Sequence, residues 1–127
     1  MSELTGERHL PHAAPIDAYG NGGFRFGGMS HRGSILCLPA GIWAWPPAEP
    51  REIDDRALKP ILDAGEGLDF VLLGTGMDLR PLPPHLRERF RALNVSVDVM
   101  PTGAAVRTYN VMVVESRRVA AGLIAVD

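Results

Sequence analysis

Cysteine is nearly absent from this chain of 127 residues: Cys37 stands alone, which excludes an internal disulfide framework and a cysteine zinc cluster. It sits in the apolar run Ile35-Leu36-Cys37-Leu38, where a small buried thiol is expected. Aromatic residues make up only 6% of the chain, too few for a base-stacking platform. A basic tract is missing as well. The formal charge is -2 and the arginines are dispersed, so neither nucleic acid nor anionic lipid is expected as a partner. No run approaches the roughly 20 apolar residues that cross a bilayer, which predicts no membrane insertion. The first residues lack an apolar signal core, and Glu3 and Glu7 speak against an acid-poor transit peptide. A soluble, cytoplasmic protein is the expectation.

What is present reads as one α/β domain. Residues 1–15 mix charges, prolines, His9 and His12 without periodicity and are expected to form a flexible tail. Residues 16–127 then make a single domain of ordinary size, about 100–150 residues. Ile16–Tyr19 and Phe24–Phe26 flank the turn cluster Gly20-Asn21-Gly22-Gly23 as short strands. Ser34–Leu38 and Ile42–Trp45 follow as strands, the second ended by Pro46-Pro47. This N-terminal material looks antiparallel.

Further on, the pattern becomes strand–helix–strand–helix–strand. Asp54 or Asp55 caps a helix with Leu58, Ile61 and Leu62 on one face, in which Pro60 must fall early or cause a kink. Leu68–Leu73 is a strand covered on both faces. Pro83-Pro84 starts a helix carrying Leu86, Phe90 and Leu93. Val95–Met100 is the next strand. Thr102 is expected to cap a helix from Gly103 to Ser116, hydrophobic all round and therefore buried. Val119–Val126 is the last strand. The order implies crossovers and a mixed, mainly parallel sheet with additional N-terminal β structure.

Parallel pairing of 68–73 with 95–100 would bring Gly74-Thr75-Gly76 and Pro101-Thr102-Gly103 to one rim, where ligands bind in open α/β sheets. The first loop is no dinucleotide fingerprint: the third glycine is missing, and Pro81, Pro83 and Pro84 delay the helix. Nor does either loop end in lysine followed by serine or threonine. The second loop suits a small anion better, because Gly103, Ala104 and Ala105 leave helical N–H groups open and Arg107 follows one turn on. Small residues there also serve close packing of helix on sheet. Thr75, Gly76, Thr102, Gly103 and Arg107 are thus the candidate ligand-binding residues.

No acid–base pair, serine elbow or metal-ligand spacing emerges, so no catalytic residue, metal or cofactor is assigned. Trp43 and Trp45 share a strand face. They are core residues or, if partly exposed, interface anchors, in a homodimer for instance.

The ordered phrases Gly22-Gly23-Phe24-Arg25-Phe26-Gly27, Pro39-Ala40-Gly41, Leu72-Leu73-Gly74-Thr75-Gly76, Met100-Pro101-Thr102-Gly103 and Arg107-Thr108-Tyr109-Asn110 carry a resemblance from about residue 16 onward. They are similar to a family of small proteins of unknown function. It includes the mitochondrial NADH dehydrogenase (complex I) assembly factor 3 and an adipogenesis-associated domain-containing protein. The resemblance implies a three-layer α/β domain, a non-catalytic protein-binding role and respiratory-complex subunits as partners. Many relatives carry cysteine where this chain has Val106, and the N-terminal residues lack an import signature. This chain therefore resembles the bacterial-type members.

Overall fold

The alternating and continuous apolar runs become two β-sheets and three α-helices in a computed structural model, which describes residues 8–127. Residues 1–7 of the expected tail lie outside the described residues. The N-terminal half supplies β1 (Arg8–Leu10), β2 (Ile16–Gly20), β3 (Gly23–Phe26), β4 (Met29–Arg32), β5 (Ile35–Leu38) and β6 (Gly41–Ala44). The rest supplies α1 (Asp55–Asp63), β7 (Phe70–Gly74), α2 (Pro84–Ala92), β8 (Ser96–Met100), α3 (Thr102–Val114) and β9 (Val119–Leu123).

A six-stranded mixed sheet has the order β1-β6-β5-β9-β7-β8, and β2-β3-β4 form a separate three-stranded antiparallel sheet. Parallel pairing is confined to β9-β7-β8; β9, β5, β6 and β1 continue the sheet antiparallel. Strand alternation explains why β5 is apolar throughout. Leu36 and Leu38 enter one core with Leu58, Ile61, Leu86 and Phe90, whereas Ile35 and Cys37 enter another with Phe24, Phe26 and Tyr109. The layers are therefore α1 and α2, then the six-stranded sheet, then α3 beside the small sheet. Each fully buried Leu, Ile or Phe contributes about 1.5–3 kcal/mol of transfer free energy, so both cores hold the sheet flanked.

Four local expectations change. Arg8–Leu10, within the expected tail, pairs with β6 as an edge strand, buries Leu10 and shows no apolar repeat that would announce it. Pro60 lies inside α1 rather than at its start. The lost bond is that to the carbonyl of Arg56, an exposed residue, and the neighbouring Ala57 carbonyl accepts from Trp45 Nε1–H at 3.0 Å. Thr102 is the first residue of α3 and not its side-chain cap. That helix is also not buried all round: Thr102, Ala105, Val106 and Tyr109 form the buried stripe at i, i+3, i+4 and i+7. Asn110, on the same helix, holds the small sheet by bonding both the N–H and the C=O of Ile16, at 2.7 and 2.8 Å.

Candidate functional site

The two rim loops do meet. Gly74 is level with Met100 in the parallel β7–β8 pair, so the chain leaves both strands on the same edge. Gly74 lets the two loops approach closely there, since an added Cβ would stand 3.0 Å from Thr102 Cα, tighter than an ordinary contact. Thr75 N–H donates to the Met100 carbonyl at 3.0 Å, and Thr75 Oγ1 donates to the Asp78 carbonyl at 2.6 Å while accepting from Arg80 N–H at 3.1 Å. Thr102 Oγ1 donates to the Ile124 carbonyl at 2.7 Å and accepts from Gly76 N–H at 2.9 Å. Its own N–H donates to the Gly76 carbonyl at 2.8 Å.

These bonds make the meeting a clasp rather than an open crevice. Thr75 is 4% exposed and Thr102 is 0%, and both hydroxyls are fully engaged within the fold. Gly103 sits under Tyr19, whose Oη would be 2.5 Å from an added Cβ, so the small residue at the start of α3 admits the Tyr19 ring. A hollow of about 280 Å³ beside Thr75, Gly76 and Met77 includes neither Thr102, Gly103 nor Arg107 in its lining.

Arg107 faces elsewhere. It borders a shallow shelf of about 460 Å³ whose apolar surface is Phe70, Val111 and Met112 and whose other charged edges are Glu115 and Arg117. The Arg117 guanidinium lies 5.6 Å from the Phe70 ring centre and its Nε is 3.3 Å from Glu115 Oε1. Val111 is 58% exposed and Val114 74%, large values for valine on a helix that the sequence had suggested to be buried. Trp43 and Trp45 are buried in the core under α1 and α2, so partial exposure, the condition for an interface role, is not met.

Two pairs of titratable groups escaped the sequence. Cys37 and Tyr109 are sealed together; burial pushes the thiol up to about 12 and raises the phenol as well. The Tyr109 hydroxyl faces the thiol without a partner at full hydrogen-bond geometry. His9 of β1 and His31 of β4 approach with ring centres 4.6 Å apart. Burial and the neighbouring His9 hold His31 below its ordinary value, opposed by a backbone bond at Ser34. No spacing in the chain announces this pair, because two separate sheets create it. Among the described residues, no group of three or more His, Cys, Asp or Glu side chains could hold a metal ion, and no helix is long and apolar enough to cross a membrane.

Residues 16–124 match a family described as a protein of unknown function (DUF498/DUF598). An uncharacterised protein of Rhodobacter capsulatus is 40% identical over 112 residues, 88% of this chain and 85% of its own length. The bovine NADH dehydrogenase (ubiquinone) 1 alpha subcomplex assembly factor 3 is 28% identical over 118 residues, 93% of this chain but only 64% of the bovine protein. A crystal structure of a Bartonella henselae protein, described as an outer membrane protein, superimposes with a TM-score of 0.88 at 49% identity, covering 94% of this chain and 100% of that one.

Proposed function

We propose that this chain, which belongs to the DUF498/DUF598 family of unknown function, is a non-catalytic protein-binding domain that docks through the α3 shelf. The observation that carries this reading is the exposure of Val111 beside Phe70 and Met112, edged by Arg107, Glu115 and Arg117, with the exposed Val114 three residues further along α3. An apolar centre with a charged rim is the anatomy of a protein interface. The related assembly factor supports respiratory NADH dehydrogenase subunits as the partner, and a cytoplasmic location suits that role. The small-ligand alternative at Thr75, Gly76, Thr102, Gly103 and Arg107 has less support, because the clasp engages both hydroxyls and Arg107 points to the shelf.

The test is co-purification of the tagged chain from its own cells, compared with the double variant Val111→Glu/Val114→Glu. These exposed substitutions should leave the unfolding free energy nearly unchanged, within about 0.5 kcal/mol each. NADH dehydrogenase subunits should accompany the unaltered chain and be lost from the variant. Equal recovery with both would sink the proposal.

A further inference from the structure

A hollow of about 710 Å³, larger than the shelf or the rim hollow, lies beside Trp45 between the end of β6, the short 3-10 turn Pro50–Glu52 and α1. Its size falls in the range of small-molecule sites, about 300–1,000 Å³. Leu36, Trp45 and Pro47 give it a buried apolar floor. Trp45 is fixed from two sides. Its indole N–H donates to the Ala57 carbonyl at 3.0 Å, and its ring lies so close to Gly122 of β9 that an added Cβ would stand 2.5 Å from Cη2. The floor is therefore preorganised, with little side-chain freedom left to lose on binding. The opposite wall is the turn of α1 where Pro60 supplies no N–H to the Arg56 carbonyl.

The charges around the hollow select the occupant. Asp54 Oδ1 already accepts from Ala57 N–H at 2.9 Å, and Glu52 Oε1 from the N–H groups of Ala48 and Glu49 at 2.9 and 3.0 Å. Arg51 is paired with Glu49 at 2.9 Å. Arg56, which lines the hollow beside its apolar floor, has no ion-pair partner among the described residues.

We propose that this hollow binds an apolar monocarboxylate, its body on Leu36, Trp45 and Pro47 and its carboxylate on the Arg56 guanidinium. The planar guanidinium takes a carboxylate bidentately, and an N–H on the ligand would find the Arg56 carbonyl.

The full chain is titrated with octanoate, with N-acetyl-leucine as the counterpart of a peptide terminus, and with octanol as the uncharged control. The Trp45 indole N–H and Ala57 amide resonances report binding. At least one acid should shift them saturably, the tighter acid identifying the source, and octanol should bind about tenfold more weakly. Arg56→Gln, a substitution at an exposed side chain, should weaken the acids about tenfold and leave octanol unaffected. The proposal fails if neither acid saturates, if octanol matches octanoate, or if Arg56→Gln binds the acids as before.

Discussion

Thr102 and Gly76, 26 residues apart, are joined twice: Gly76 N–H donates to Thr102 Oγ1 at 2.9 Å, and Thr102 N–H donates to the Gly76 carbonyl at 2.8 Å. The same hydroxyl reaches the Ile124 carbonyl at 2.7 Å, so one side chain binds the β7 loop, the start of α3 and the segment after β9.

Thr102→Val keeps the shape and removes the hydroxyl, leaving the buried Gly76 N–H and Ile124 carbonyl without it. The expected loss is roughly 2–4 kcal/mol, because each stranded partner bears its full desolvation penalty. Thr102→Ser keeps both bonds and should lose only about 1 kcal/mol for the missing methyl. Urea unfolding of the three proteins measures this; equal midpoints for threonine and valine would show that the clasp contributes nothing.

Cys37 should be inert in the folded protein. With its thiol raised to about 12 by burial, almost no thiolate exists at pH 8. Reaction with an aromatic disulfide reagent should be on the order of a thousandfold slower than in urea, the ratio of thiolate fractions for an ordinary thiol and this one. Rapid labelling under native conditions would contradict the sealed Cys37–Tyr109 contact.

Acid should weaken the fold through His31. Its folded value lies below the ordinary 6.5, mainly from burial and then from His9, so the unfolded chain takes up the proton first. Unfolded protons in excess mean that stability falls as pH drops through about 6.5, and the loss levels off below the folded value. Unfolding midpoints at pH 7.5 and 5.5 should differ less for His31→Asn than for the unaltered chain. An identical difference in both would remove His31 from the acid response.

Much of this architecture was legible because both faces of β5 and β7 are covered, and the double covering writes itself as continuous apolar runs. The parallel pair and its shared rim followed from that, and the rim loops do meet. β4 was not legible: Met29-Ser30-His31-Arg32 is mostly exposed and joins β3 in a backbone ladder, which polar side chains do not disclose. The rim residues were identified by type but not by direction. Arg107 is five residues beyond Thr102, and at 3.6 residues per turn that places it about 140° around α3. Helical phase alone therefore separated the guanidinium from Thr102. What phase could not supply was the use of the threonine hydroxyls, fixed by carbonyls at Asp78 and Ile124 from other parts of the chain.

The position of β9 in the six-stranded sheet has a consequence for synthesis on the ribosome. It is the last described strand to be made, yet it lies between β5 and β7 and bonds to both. Until Val119–Leu123 emerges, β1, β5 and β6 make one fragment of the sheet and β7 and β8 another, each with an unpaired edge. The pairing of residue 37 with residue 121 must then close a very long loop, an entropic demand that slows folding. During translation the nascent chain thus carries two open strand edges that only its own late segment can seal.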